Sequence, residues 1–244
     1  MSDLRRRVFR ARDAILRRIR GLPQPGRVVF GDLRRTAPIS REFGVDRGGP
    51  IDRYYIERFL GHHAPDVQGR VLEFGDDAYT IRFGGANVVR GDIWHVHDRN
   101  PRATIVGDLV SPPSVAGNAF DCIICTQTLQ YLSDPAAGIA TLRHMLKPGG
   151  VLLATMPGIS PVATRSEWGP TWYWAFTAVG VERLLRAGFG DGTFSVVTYG
   201  NVLAAVAFLH GLSPADTSDD ELNETDPDYP VTIAARVRKP LEAQ

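Results

Sequence analysis

The chain has 244 residues, 43% hydrophobic and 23% charged, with a formal net charge of +1. That length can build one large α/β domain with a substantial core, and the balanced charge excludes a global pull toward nucleic acid or anionic surfaces. Its two cysteines, Cys122 and Cys125, both lie in the apolar run FDCIIC, which excludes a disulfide framework and predicts a reducing, cytoplasmic setting.

Residues 1–20, MSDLRRRVFRARDAILRRIR, hold eight arginines, with Leu4, Val8, Ala11, Ile15 and Ile19 at helical spacing. This pattern predicts a basic amphipathic helix. Such a helix can lie on an anionic membrane, or dock on its own domain or on a second copy of the chain. A homodimer through it is therefore one partner expectation. No run nears the roughly 20 apolar residues of a membrane span, and the start lacks the apolar core of a signal peptide, so no stable membrane insertion is expected. Residues 21–50 are rich in Pro, Gly and Arg and read as an irregular arm. The expected division is a helix and arm over 1–50 and the main domain over 51–244.

IDRYYIERFLGHH predicts a short helix with Ile51, Tyr55, Ile56 and Leu60 inward, opened by Asp52 or the preceding Gly-Pro. Strands are predicted near 70–74, 87–93, 103–106, 120–125, 150–156, 194–199 and 231–237. Helices are predicted near 135–146, 178–187 and 202–211. This alternation points to an α/β fold with a doubly wound, mostly parallel sheet. The acidic stretch SDDELNETDPD reads as a solvated connection.

In open α/β sheets, ligands bind beyond the carboxyl ends of the strands, where strand order reverses. The first strand leads into Glu73, Phe74 and Gly75, followed by Asp76 and Asp77. The second, NVVRGDIWHVHD, offers Asp92 and Ile93, with Asp92 near the spacing of an acid that accepts both ribose hydroxyls. The third ends at Asp108 and Leu109, and the fourth leaves Thr126, Gln127 and Tyr131 at the sheet edge. A dinucleotide pyrophosphate needs backbone N–H groups and close approach over glycine. Asp76 and Asp77 would instead oppose it, each like-charge pair costing on the order of a kcal/mol. S-adenosylmethionine carries adenosine, a sulfonium and an ammonium, but no phosphate. Acid-lined loops suit it, with Glu73 and Asp77 toward the cationic part, Asp92 on the ribose, and Asp108 with Leu109 on the adenine.

The segments VLEFG, VVRGDI, GDL, FDCIICTQTLQYLSDP and LRHMLKPGGVLLATMPG, in that order, resemble the motifs of class I S-adenosylmethionine-dependent methyltransferases. The resemblance covers roughly residues 40–240. More narrowly, FGVDRGGPIDRYYIERFL, WGPTWYWAFT and YGNVLAAVAFLHGL look like a bacterial subgroup often encoded near glycosyltransferase genes. It implies a Rossmann-like seven-stranded sheet ending in an antiparallel hairpin, here with an N-terminal helical extension. It also implies cofactor contacts from Glu73, Gly75, Asp92, Asp108 and Gln127; neighbouring Phe74, Asp77, Ile93, Leu109 and Thr126, with Tyr55 closing over the cofactor, complete the expected set. One departure stands out: the pattern E-x-G-x-G-x-G has Asp77 and Tyr79 at its second and third glycines. Either the cofactor sits differently, with Gly84-Gly85 giving room, or the site is weakened, and the chain is a weak or inactive methyltransferase-like binding or scaffold protein.

Methyl transfer to a hydroxyl needs a general base within hydrogen-bond reach. The candidates are His95, His97 and Tyr131, followed by Asp134 and Glu167. HVH has the spacing of a metal pair on a strand but lacks a third ligand, so no metal is expected. SEWGPTWYWAFT brings together Trp168, Trp172 and Trp174, which with Tyr131 suit a sugar ring or flat acceptor under a lid over 160–178. Arg47 and Arg53 are candidates to meet an anionic acceptor. The expected activity is methylation of a small polar acceptor, a hydroxyl or amine of a saccharide or secondary metabolite. Nucleic acid is not an expected partner.

Overall fold

The computed structural model describes residues 19, 21–23, 26–166 and 169–241. The chain divides into two units, Met1–Ala37 and Pro38–Gln244. Apart from Ile19, the predicted N-terminal helix lies outside the described residues, and so do the membrane and homodimer expectations attached to it. The larger unit begins at Pro38. Ile39 and Ser40 donate their N–H groups to His210 O at 3.0 Å each, and Arg47 bonds Asp216 at 2.7 Å.

Seven strands form one sheet: β1 Gly69–Phe74, β2 Val88–His95, β3 Ile105–Val106, β4 Phe120–Thr126, β5 Leu146–Pro157, β6 Thr193–Tyr199 and β7 Thr232–Arg238. Their order is β3-β2-β1-β4-β5-β7-β6. The β1–β2, β1–β4, β2–β3 and β4–β5 pairs are parallel, while β7 runs antiparallel to both β5 and β6. The expected terminal hairpin is therefore present. The central strands read as unbroken apolar runs because both faces of a parallel sheet are covered. In β4, Ile123 and Cys125 join Leu142, Leu185 and Phe189 on one face, while Cys122 and Ile124 join Ile56, Phe59 and Leu60 on the other. The two cysteines thus serve opposite cores, and burial pushes the Cys125 thiol up to about 12.

The first helix, α1 (Ile51–His62), buries Ile51, Tyr55, Ile56, Phe59 and Leu60 along one stripe. The second, α2 (Pro135–Met145), starts where Asp134 accepts the N–H groups of Ala136 and Ala137. Helix α3 (Ala178–Phe189) is capped by Thr177, and α4 (Val202–Leu209) by Asn201. The acidic stretch is more than a solvated connection. It folds as α5 (Asp219–Asn223) behind a Ser218–Glu221 capping box, with Leu222 buried. None of the helices among the described residues is long and apolar enough to cross a membrane. The β1–β2 crossover is a π turn at Thr80–Gly84 and a 3-10 turn at Gly85–Asn87. A Cβ at Gly84 would meet Val88 Cγ2 at 2.3 Å, so this glycine serves close packing rather than widening the crevice.

Candidate active site

Strand order reverses between β1 and β4, and their carboxyl ends open the crevice. Phe74 leads into Gly75, whose φ of +91° is left-handed. A Cβ there would project into open space, so glycine lets bare backbone face a ligand at this turn. Glu73, only 1% exposed, accepts N–H groups from Tyr79 at 3.1 Å and Thr80 at 2.7 Å. It ties the strand end to the following turn. Burial pushes its carboxyl up to about 7, against the two donors that favour its ionised form.

At the end of β4, Gln127 adopts a left-handed φ of +44°. That is uncommon for a residue with a side chain and marks a constrained position. Its N–H donates to Thr155 O at 2.9 Å, and Gln130 Nε2 donates to Gln127 O at 2.9 Å. Gln127 Nε2 is buried with no hydrogen-bond partner among the described residues. An orphaned buried donor calls for an incoming acceptor.

Two cavities adjoin here. The first, about 630 Å³, is walled by Phe74, Gly75, Trp94, His95, His97, Asp108 and Leu109. Phe74 and Trp94 stack at 5.7 Å, and Trp94 Nε1 donates to Gly107 O at 2.8 Å. The second, about 470 Å³, is walled by Phe43, Asp52, Glu73, Tyr79 and Trp172. There Trp172 stacks on Phe43 at 6.3 Å and meets Tyr131 edge-on at 5.3 Å. Arg53, Phe74, Thr126, Gln127 and Tyr131 line both cavities. The two cavities therefore share one wall at the carboxyl end of the sheet.

Several sequence candidates stand elsewhere. Asp92 is buried in mid-strand, opposite Leu72, and pairs with Arg70 at 2.7 Å and Arg90 at 3.0 Å. These cations hold its carboxyl below the usual range despite burial. It lines neither cavity, and nor does the buried Ile93; β2 continues to His95, which reaches the edge instead. Asp77 turns away to pair with Arg102, so it does not occupy the crevice. Tyr55 is fully buried and stacks on Tyr199 at 5.7 Å. Trp174 donates Nε1 to Leu132 O at 2.7 Å, outside both cavities. Trp168 and Glu167 lie outside the described residues. His95 Nδ1 contacts His97 O at 2.8 Å, placing both histidines on the first cavity, away from the aromatic wall of the second. Asp134 is committed to capping α2. No group of three potential metal ligands occurs among the described residues.

Sequence reasoning assigned no site role to Asp52 and Phe43. Asp52 was read only as the residue that opens α1; its carboxyl is pushed up to about 6 by desolvation. The signal available was its place at the helix start, where the loop before it folds over the crevice.

The arrangement selects its ligand by chemistry. The β1 turn offers one open glycine and the carboxyls of Glu73 and Asp76, not the N–H nest that a pyrophosphate needs. The first cavity offers aromatic faces, an exposed aspartate and an apolar leucine, which fit an adenosine; the acids beyond it fit a cationic tail. A family model described as a methyltransferase domain matches residues 53–189, more than half of the chain. An S-adenosylmethionine-dependent methyltransferase from Mesorhizobium loti superposes with TM-score 0.53 at 14% identity, covering 75% of this chain and 98% of that one. The N-methyltransferase NodS from Bradyrhizobium japonicum gives TM-score 0.49 at 21% identity, covering 79% and 98%. A reducing polyketide synthase from Alternaria alternata is 43% identical over 53 residues, which span 21% of this chain and 2% of that protein.

Proposed function

We propose that the chain, which belongs to the methyltransferase-domain family, is a class I S-adenosylmethionine-dependent enzyme whose acceptor is a small polar molecule bound in the second cavity. The acceptor class is a hydroxyl or amine of a saccharide or secondary metabolite. The observation that carries this reading is the shared wall of Arg53, Phe74, Thr126, Gln127 and Tyr131 between the two cavities.

S-adenosylmethionine, when bound, supplies an electrophilic methyl on a sulfonium, so the protein's task is alignment and exclusion of water. Gly75, Asp108, Leu109 and Thr126 would hold the cofactor, with Phe74 and Trp94 as the aromatic side of that cavity. Gln127 Nε2 supplies a donor at the junction. Phe43, Tyr131 and Trp172 present faces on which a sugar ring or flat acceptor packs. The departure at the second and third motif glycines does not block this arrangement, because Asp77 leaves for Arg102 and Tyr79 packs beside Phe83.

Asp52 takes the acceptor's proton. Of the acids on the second cavity, Glu73 is occupied by two backbone N–H groups and Asp76 accepts Ala78 N–H at 2.9 Å. Asp52 stands on the cavity wall with its carboxyl near 6, matched to proton transfer around neutral pH. The two buried free cysteines support a reducing, cytoplasmic location.

Calorimetric titration with S-adenosylmethionine and S-adenosylhomocysteine, followed by radiolabelled methyl transfer to a panel of saccharides and amines, tests the proposal. Micromolar binding with transfer that requires Asp52 is expected. An absence of cofactor binding would instead make the protein a methyltransferase-like scaffold.

A further inference from the structure

A third cavity, about 260 Å³, opens beside the second and shares Glu42, Phe43, Ala163 and Ser166 with it. The two spaces therefore share a wall that includes Phe43, which stacks on Trp172. This third cavity is formed by the segment 38–43, the segment 161–166 and the end of α4, and it presents the guanidinium-bearing residues Arg41 and Arg165. Neither has an ion-pair or hydrogen-bond partner among the described residues. Most other arginines of this unit are satisfied: Arg47 by Asp216, Arg58 by Asn223, Arg70 and Arg90 by Asp92, Arg82 by Glu57, Arg102 by Asp77, and Arg236 and Arg238 by Asp66. Of the remaining arginines, Arg143 and Arg183 have no ion pair among the described residues but stand on exposed helix surfaces and line none of these cavities, Arg186 lies over the Phe194 ring, and Arg53 lines the first and second cavities but not the third.

We propose that the acceptor carries an oxyanion, phosphate or carboxylate, which lodges between Arg41 and Arg165 while its methylated end lies in the second cavity. This rests on the acceptor reading above. Planar guanidinium groups with free N–H forks match the oxygens of such an anion. The frame around them is held in advance. Ser40 Oγ donates to Asp46 at 2.5 Å and accepts Glu42 N–H at 3.0 Å, fixing the turn that carries Arg41. A Cβ at Gly211 would strike Ser40 O at 2.3 Å, so this segment sits flush against the end of α4. On the other side, Ser166 N–H donates to Ala163 O at 2.9 Å, and Gly169 packs against the same backbone. The second cavity carries Glu42, Asp52, Glu73 and Asp76 against Arg53, whereas the third carries Arg41 and Arg165 against Glu42, and this balance sets the polarity: charge on the arginine side, uncharged hydroxyls toward Phe43 and Trp172.

The test titrates glucose 1-phosphate, glucuronate and neutral glucose into protein saturated with S-adenosylhomocysteine, for wild type, R41A, R165A and the remote control R183A. Circular dichroism confirms folding. At least one anionic sugar is expected to bind more tightly than glucose, and both cavity variants should lose about tenfold or more of that affinity, with R183A unchanged. Preference for glucose 1-phosphate over glucuronate would assign a phosphate, and the reverse a carboxylate. Equal affinity for all three sugars, or unaltered binding in R41A and R165A, overturns the proposal. Loss of S-adenosylhomocysteine binding in wild type would instead refute the methyltransferase reading, so the two failures are distinct.

Discussion

The two central cavities are made differently. The first is built from strand ends and the turns that follow them: Phe74 at the end of β1 and Gly75 after it, His95 at the end of β2, Asp108 near β3 and Thr126 at the end of β4. The second is closed by segments far apart in sequence, with Phe43 and Asp52 on one side and Ser166 and Trp172 on the other. The sheet itself supplies the first cavity, whereas the second is closed by connections that can vary without disturbing the sheet. Changes in one should therefore leave the other's ligand largely untouched.

The sharpest test of that separation is Asp52→Asn. Loss of the proton acceptor should lower kcat by about 10² or more, with S-adenosylhomocysteine affinity held within about twofold. In wild type, Asp52 must be ionised to work, so kcat/KM should rise with pH through about 6 and then level, and the variant should lose that limb. A variant with full kcat and an unaltered pH profile would remove Asp52 from the mechanism.

Gly75→Val is the converse experiment. It forces a branched side chain into a left-handed φ of +91° and into the first cavity. Cofactor affinity should fall by about a hundredfold, well beyond what backbone strain of roughly 1–2 kcal/mol contributes to stability. Unchanged titration with S-adenosylhomocysteine would mean that the ligand does not cross this turn.

Trp172→Ala should cost about tenfold in kcat/KM for the acceptor, because it deletes the ring that stacks on Phe43 and meets Tyr131. Cofactor binding should be indifferent to it. His95→Ala and His97→Ala should act the other way, raising the cofactor KM a few-fold with kcat intact, since both side chains face the first cavity. A collapse of kcat in either would restore them as bases.

The smallest expected effect is on stability. Glu73 keeps its proton to about pH 7 in the fold, against an ordinary value of 4.5. Between those values unfolding releases a proton, so stability contributed at low pH declines as pH rises, by on the order of a kcal/mol per pH unit. Urea midpoints between pH 5 and 7.5 should show that slope in wild type and a flatter one in Glu73→Gln.

The same contrast governs how much could be read from the sequence. Strands β1, β4 and β5 were legible because burial on both faces demands unbroken apolar runs such as Cys122–Cys125 and Val151–Met156. The terminal hairpin followed from family resemblance and is present as β6 and β7. Residue spacing counts positions along the chain and does not show that β2 extends to His95 or that two arginines pair with Asp92 inside the sheet. The pairing of Asp77 is equally hidden from local pattern, since its partner Arg102 lies 25 residues away. In the adjacent pair Tyr54 and Tyr55, helical phase turns Tyr55 into the core, and the stack on Tyr199 needs a contact that no local pattern records. The second cavity was least legible: Trp172 was found by its aromatic company, but Phe43 and Asp52 join it only through tertiary folding.

A crystal structure of the protein with S-adenosylhomocysteine measures the central relation directly. The adenosine should rest among Phe74, Asp108 and Leu109, with the sulfur at the Gln127–Tyr131 wall facing the space bounded by Asp52 and Trp172. A sulfur directed away from that space, or a ligand seated in the aromatic cavity with the first left vacant, would contradict the account.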